Sequence, residues 1–95
     1  MQGESGRQRL DKWLWFARMA RTRVMAQQLI ADGFVRVDGR RAEQAARQVG
    51  PGNVLTIALE QKVVVLEILE CAERRGSYPE AQKLYRLIGP DAPHA

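Results

Sequence analysis

Residues 9–39 read RLDKWLWFARMARTRVMAQQLIADGFVRVDG, and the spacing of the apolar residues in this stretch decides the fold. Four of them recur at the i, i+3, i+4, i+7 spacing of one helical face: Leu10, Trp13, Leu14 and Ala17. We therefore predict a first helix beginning at Leu10. The residues expected on its far side are Asp11, Lys12, Trp15 and Arg18.

A second helix is predicted after a short polar break. Thr22 is a favoured N-cap residue, and Gly33 suits the left-handed position that ends a helix. Between them lies a second apolar stripe, formed by Ala26, Leu29 and Ile30. The two predicted helices meet near Arg21.

The residues that follow predict two β-hairpins. Phe34–Val37 alternates and leads into Asp38–Gly39, a dipeptide typical of the type I′ turn, so it should pair with a strand from Arg41 onward. Val54–Leu59 and Val63–Leu69 are apolar and rich in β-branched residues, which predicts a second hairpin. Residues 42–50, before the Pro51–Gly52 turn, show no periodicity and are expected to form an irregular crossing segment.

A last helix is predicted from Pro79 to Gly89–Pro90, and its stripe comprises Ala81, Leu84, Tyr85 and Ile88. The fold class is therefore α+β. Two short N-terminal helices are expected to pack on a small, mostly antiparallel twisted sheet, with a C-terminal helix added.

Composition limits what the chain can do. Its 95 residues, 45% hydrophobic and 27% charged, predict one small globular domain and exclude large enzyme folds. The net charge of +4 is concentrated in residues 1–47, which hold ten basic and five acidic side chains. Nine of those ten cations are arginines, the residue suited to bidentate phosphate contacts, which favours a polyanion as partner.

The sequence gives no support for catalysis or cofactor binding. His94 is the only histidine and Cys71 the only cysteine, so no disulfide, cysteine-based metal site or nucleophile–base pair is expected. The start of the chain has no apolar stretch for a signal peptide, and the longest apolar run begins at Val63 and is too short to span a membrane. A reducing cytoplasm is the expected location.

The candidate site is a basic face on the helix–turn–helix block. We expect its cations to cluster near the Thr22 cap, where helix N–H groups, a hydroxyl and guanidiniums can bind a phosphate together: Arg9, Lys12, Arg18, Arg21 and Arg23. Gln27 lies one turn further and should reach a sugar or base edge, while Asp11 is expected to orient its cationic neighbours by ion pairing. Arg36 and Arg40 on the first hairpin would extend the face. The plainer alternative is a set of solvated surface cations.

The two tryptophans receive different predictions. Trp13 lies on the apolar stripe and is expected in the core. Trp15 lies off it, between Lys12 and Arg18, and is a candidate for stacking on an unpaired base. The alternative is that Trp15 packs against the C-terminal helix through Leu84 or Ile88.

The string from Arg9 to Gly39, with a later Gly–turn–strand segment, resembles the RNA-binding domain named after small-subunit ribosomal protein S-four, also called the αL motif. The Trp13–Trp15 run and the stretch Glu73–Tyr85, ERRGSYPEAQKLY, are similar to the ribosome-associated heat-shock protein 15 branch of that family. The resemblance covers residues 9–86. It divides the chain into a flexible lead-in (1–8), an S-four-like RNA-binding domain (9–70), and a loop, helix and frayed tail packed on the same domain (71–95).

The resemblance implies structured RNA bound across the helix pair and the hairpin, with no reaction. The positions that match the RNA-binding pattern are Arg9, Asp11, Lys12, Thr22, Arg23, Gln27, Arg36, Val37 and Asp38. It also implies a stress-response protein that binds ribosomal RNA of the large subunit, with tRNA as a further candidate partner. There the branch helps to recycle stalled subunits that still carry a nascent chain and tRNA.

Three departures from the family pattern are visible. Asp38 stands where the family usually has Asn, which places an anion beside the RNA face, and Asn53 replaces the usual Asp of the following turn. The chain also stops soon after its last predicted helix, where relatives continue into a longer basic extension, so ribosome affinity is expected to differ if that extension contributes to it.

Two other functions are compatible with the sequence. A protein-interaction adaptor would use Trp15, Phe16 and the C-terminal helix, with the positive charge serving solubility. The second alternative function is an accessory domain that acts in trans for an RNA-modifying enzyme, although no catalytic domain is present. A membrane partner is not expected, and DNA is less favoured than RNA.

Overall fold

The computed structural model describes residues 6–88. They form three helices and seven short strands in the order β1 (Gln8–Arg9), α1 (Leu10–Phe16), α2 (Arg23–Ala31), β2 (Val35–Val37), β3 (Arg40–Arg41), β4 (Gln48–Val49), β5 (Val54–Ala58), β6 (Val63–Ile68), α3 (Tyr78–Gln82) and β7 (Tyr85–Leu87). Five strands make an antiparallel sheet in the order β3-β2-β5-β6-β7, and β1 pairs with β4 in a separate ribbon. The predicted α+β class and antiparallel sheet are confirmed.

The stripe predicted for α1 is buried. Leu10, Trp13, Leu14 and Ala17 are all 2% exposed or less. The helix ends in a left-handed turn at Arg18 (φ +63°), where Met19 N–H donates to the Leu14 carbonyl oxygen (2.9 Å). One prediction for this helix is wrong: Asp11 does not lie on an open far side but is 0% exposed.

The predicted boundaries of α2 are confirmed. Thr22 Oγ1 accepts a hydrogen bond from the Met25 backbone N–H (3.0 Å), which satisfies one of the free donors at the helix start. Gly33 has φ +85° and follows the last turn, and Phe34 N–H donates to the Leu29 carbonyl oxygen (3.0 Å). Ala26 and Ile30 carry the buried face of the helix.

Both predicted hairpins are present. Asp38 and Gly39 have φ values of +52° and +87°, as a type I′ turn requires, and they connect β2 to β3. β5 and β6 pair in register from Val54↔Glu67 to Ala58↔Val63. The buried side of the sheet packs against the two helices in one apolar core.

Residues 42–50 and 6–8 differ from their predictions. Gln48–Val49 is a strand rather than part of an irregular segment, and it pairs with Gln8–Arg9 at the end of the predicted lead-in. Gln8 also donates from Nε2 to the Ala72 carbonyl oxygen (2.6 Å). Residues 1–5 lie outside the described part of the chain.

The C-terminal helix is shorter than predicted. It begins with a Ser77–Glu80 capping box and ends at Gln82, and Tyr85–Leu87 then forms the edge strand β7 against β6. Leu69 and Glu70 N–H groups both donate to the Leu84 carbonyl oxygen (2.8 and 3.2 Å), which draws the chain into the sheet. The predicted end at Gly89–Pro90, the tail beyond it and His94 lie outside the described residues.

Within residues 6–88, no helix has the length and apolar character needed to cross a bilayer.

Candidate nucleic-acid interface

The centre of the candidate interface is the buried carboxylate of Asp11. Arg9 donates to it from Nε (3.1 Å to Oδ1) and Nη2 (3.2 Å to Oδ2), and Arg23 donates from Nε (3.2 Å to Oδ2). Gln27 Nε2 lies 2.9 Å from Oδ2, and the Lys12 backbone N–H lies 2.8 Å from Oδ1. We call Asp11, Arg9, Arg23 and Gln27 the Asp11 cluster.

These contacts fix the charge of the carboxylate. Burial alone would raise the pKa of Asp11, but hydrogen bonds from Arg9, Gln27, Arg23 and the Lys12 backbone outweigh it and hold the pKa below its ordinary value. Asp11 is therefore an anion at neutral pH and suits an orienting role rather than proton transfer. The predicted ion pairing of Asp11 with cationic neighbours is present.

The cluster presents two arginines to solvent. The side chains of Arg9 and Arg23 are 40% and 37% exposed, whereas that of Asp11 is fully buried. Each guanidinium has five N–H donors, and the carboxylate takes only two from Arg9 and one from Arg23. Both side chains thus keep N–H donors for an external anion, while the buried Asp11 carboxylate fixes their positions.

The start of α2 adds to this surface. Thr22 and Arg21 are exposed, and Arg23 is the first residue of the helix. Because the first N–H groups of a helix have no intrahelical partners, its N-terminus favours an anion. The N-terminus of α1 is different, since Leu10 and Asp11 N–H groups donate to the carbonyl oxygens of Arg47 (2.8 Å) and Ala45 (3.2 Å).

Two of the predicted cations have neighbours inside the protein. Lys12 is half-buried, with Nζ 6.0 Å from the centre of the Phe16 ring. Arg18 lies at the opposite end of α1 from Asp11, and its Nε and Nη2 donate to the Gly76 carbonyl oxygen (3.1 and 2.8 Å). The structure therefore places Arg18 outside the Asp11 cluster and uses its guanidinium to fasten the loop before α3.

The first hairpin carries a second set of cations. Arg36 and Arg40 are exposed, and Arg36 Nη1 donates to the Gly39 carbonyl oxygen (3.4 Å). Val37 is 1% exposed, so this predicted contact residue cannot offer its side chain to RNA. Arg41 instead covers Gly33 and donates from Nη2 to the Ala31 carbonyl oxygen (3.2 Å) at the end of α2.

Both carboxylate oxygens of Asp38 accept a hydrogen bond at the tip of this hairpin. Its Oδ1 accepts from the Val54 backbone N–H (2.9 Å) and its Oδ2 accepts from Nδ2 of Asn53 (2.7 Å). The predicted anion beside the RNA face is thus bonded to the neighbouring turn.

Comparison with known proteins assigns this segment to a family. The S4 domain family model matches residues 8–55, which hold the Asp11 cluster and the β2–β3 hairpin. The chain belongs to the S4 domain family. It is 36% identical over 78 residues to a heat shock protein 15 homolog of Haemophilus influenzae, covering 82% of this chain and 59% of that one. It is 30% identical over 80 residues to the RQC P-site tRNA stabilizing factor of Bacillus subtilis, covering 84% and 91%.

A solved structure supports the same assignment. The trimeric structure of Vibrio cholerae heat shock protein 15 superposes with a TM-score of 0.81 at 35% identity, covering 86% of this chain and 82% of that one. This S4 domain thus falls in the heat-shock protein 15 branch, as its sequence predicted. The chain spans 59% and 58% of the two curated heat-shock protein 15 homologs it matches.

Two of the departures from the S4 family pattern contact each other. Asp38 stands in place of Asn and Asn53 in place of Asp, and their side chains share one hydrogen bond (2.7 Å). An amide and a carboxylate still face each other, with the charge moved from the turn to the hairpin tip.

The predictions for the two tryptophans have different outcomes. Trp13 is 0% exposed in the core, as predicted, and its Nε1 donates to the Glu70 carbonyl oxygen (2.9 Å). Trp15 is half-buried against the core and stacks on Phe16, with ring centres 5.3 Å apart. This placement favours packing, and base stacking by Trp15 stays a prediction.

Arg47 is a further exposed basic residue, which the sequence analysis does not assign to the candidate interface. It precedes Gln48, which pairs with Arg9 across the β1–β4 ribbon. Its charge was the only signal in the sequence, since a two-residue ribbon leaves no periodic pattern. Among residues 6–88, no group of three or more His, Cys, Asp or Glu side chains is arranged to hold a metal ion.

Proposed function

We propose that this protein binds structured RNA, without catalysing a reaction, through the Asp11 cluster, the Thr22 cap and the β2–β3 hairpin. The observation that carries the proposal is the buried Asp11 carboxylate, which holds two half-exposed arginines and a glutamine in place beneath one surface. Preorganised guanidiniums at a helix N-terminus suit the phosphates of a folded RNA, which is recognised largely by shape.

The proposed target is ribosomal RNA of the large subunit in the cytoplasm. Membership of the heat-shock protein 15 branch supports it, and so does the likeness to a protein named as an RQC P-site tRNA stabilizing factor. The proposed task is to aid the recycling of stalled large subunits that carry a nascent chain with tRNA. Contact with that tRNA is part of the proposal.

The adaptor alternative has less support. It relied on Trp15, Phe16 and a C-terminal helix as a docking surface, but Phe16 is 4% exposed and Trp15 is half-buried. The C-terminal helix has only five residues. No contact in the described residues favours this function over RNA binding.

In-cell crosslinking followed by sequencing of the attached RNA tests the proposal. The expected result is a signal confined to one region of large-subunit RNA, reduced in Arg23→Ala and retained in Arg86→Ala. Arg86 is the matched control because it lies on β7 in an ion pair with Glu67. Crosslinks spread over unrelated transcripts, or a signal equal in both variants, would overturn it.

A further inference from the structure

The β2–β3 hairpin pairs with β5 along its length, and at its tip one side-chain pair adds a connection to the turn before β5. Asn53 uses both ends of its amide: Nδ2 donates to Asp38 Oδ2 (2.7 Å), and Oδ1 accepts from the Gly50 backbone N–H (2.9 Å). Asp38 uses its second oxygen to accept from Val54 N–H (2.9 Å). Three side-chain hydrogen bonds thus form the joint, beside a backbone bond in which Asp38 N–H donates to the Val54 carbonyl oxygen (2.7 Å).

The same joint leads to the Asp11 cluster. Gly50 directly follows β4, and β4 pairs with β1 through Arg9↔Gln48 and Gln8↔Val49. Arg9 is one of the two arginines on Asp11. Hydrogen bonds therefore connect the hairpin tip, through Asn53, Gly50 and the β4–β1 ribbon, to Arg9 of the Asp11 cluster.

We propose that Asn53 is a positioning residue for RNA binding, which with Asp38 sets the place of the hairpin tip, and with it the guanidiniums of Arg36 and Arg40, relative to the Asp11 cluster. Asn53 itself has no contact with RNA in this proposal. Its effect is to hold the hairpin arginines where they can contact the same RNA as the arginines of the Asp11 cluster. A hairpin arginine that is displaced loses its phosphate contact. The proposal rests on the proposed RNA-binding function.

Exchanging the two side chains isolates this role. Asn53→Asp alone places two carboxylates side by side, which repel each other. Asp38→Asn alone places two amides side by side, and they can bond only if one of them loses its bond to Gly50 or Val54 N–H. In the double variant, the new carboxylate at position 53 accepts from Gly50 N–H and from the new amide at position 38, which in turn accepts from Val54 N–H. All three hydrogen bonds are then retained with no change of net charge.

The measurement is the affinity of the labelled chain for purified bacterial large ribosomal subunits over a series of salt concentrations. We expect Asn53→Asp to weaken binding about tenfold and to lower the slope of log K against log salt by roughly one to two, the share of the hairpin phosphates. The double exchange should restore the slope and bring the affinity within about twofold of wild type. Glu60→Gln, an exposed carboxylate in the β5–β6 turn, is the control and should leave the slope unchanged.

A second readout separates positioning from simple loss of stability. Arg36→Ala/Arg40→Ala should lower the slope in the wild-type background and change it little in the Asn53→Asp background, because the displaced hairpin tip has already lost those contacts. A role limited to stability predicts the same slope change in both backgrounds, with urea unfolding confirming that each protein is folded.

Two failures are distinguishable. An unchanged slope in Asn53→Asp, or a folded double exchange that does not regain the slope, overturns the role of Asn53. A wild-type protein that binds the subunits without salt dependence, and is indifferent to Arg23→Ala, overturns the proposed function instead.

Discussion

Arg23 Nε lies 3.2 Å from Oδ2 of Asp11, so the first residue of α2 is tied to the first turn of α1. The same carboxylate also holds Arg9, so Asp11 brings a cation from each side of the helix pair together. The carboxylate is buried while the guanidinium is partly exposed, so the pair orients the cation without removing it from solvent.

Replacing the Asp11 carboxylate should cost both stability and RNA affinity. Asp11→Asn keeps the size of the side chain but leaves Arg9 and Arg23 without their anion, and we expect the free energy of unfolding to fall by about 1–3 kcal/mol. Urea unfolding measures the change. Glu43→Gln, an exposed carboxylate, is the control and should stay within about 0.5 kcal/mol of wild type. An equal effect of the two substitutions would contradict the central role of Asp11.

The contribution of Asp11 to stability should depend on pH in a defined direction. Its pKa in the folded protein is lowered from the ordinary value of 3.8, so the stabilisation is fully present above that value and is lost as pH falls through the lower folded pKa. The stability difference between wild type and Asp11→Asn should thus be constant from neutral pH to about pH 5 and shrink below about pH 4. A difference that shrinks above pH 5 would be incompatible with the lowered pKa.

Substitutions of Arg18 separate the effect of its backbone conformation on stability from that of its side-chain hydrogen bonds. Its left-handed conformation (φ +63°) favours glycine, while its guanidinium donates to the Gly76 carbonyl oxygen. Arg18→Ala loses the hydrogen bonds and keeps the backbone strain, whereas Arg18→Gly loses the hydrogen bonds and relieves the strain. Thermal unfolding should find the glycine variant more stable than the alanine variant by about 1 kcal/mol.

The same two variants test the sequence-based assignment of Arg18 to the RNA face. Because Arg18 lies at the opposite end of α1 from Asp11 and its guanidinium donates to the loop before α3, both variants should keep the salt dependence of subunit binding. A slope lowered equally in both variants would show that Arg18 does contact an RNA phosphate.

Local patterns explain what the sequence predicted well. The stripe on α1, the Thr22 cap, the Gly33 end and the Asp38–Gly39 turn each depend on residues a few positions apart. Helix periodicity, capping and turn chemistry are short-range effects, so they are visible without the fold.

Long-range contacts explain what it missed. Asp11 was placed on an open face because its partners, Arg23 and Gln27, lie 12 and 16 residues further along the chain. Tyr85–Leu87 has helical spacing with Ala81 but joins the open edge of β6, since pairing with a strand distant in sequence overrides local propensity. The engagement of Asp38 by Asn53 was likewise hidden by 15 positions of sequence separation.

The most direct test of the basic surface is the salt dependence of binding to purified large ribosomal subunits, measured for wild type, Arg23→Ala and Arg86→Ala. If about four to six phosphates are neutralised, log K should fall by roughly three to five for each tenfold rise in salt. Arg23→Ala should lower that slope by about one phosphate's share, and Arg86→Ala should leave it unchanged. A slope near zero in the wild type, or one that Arg23→Ala does not alter, would contradict the claim that guanidiniums held by Asp11 bind RNA phosphates.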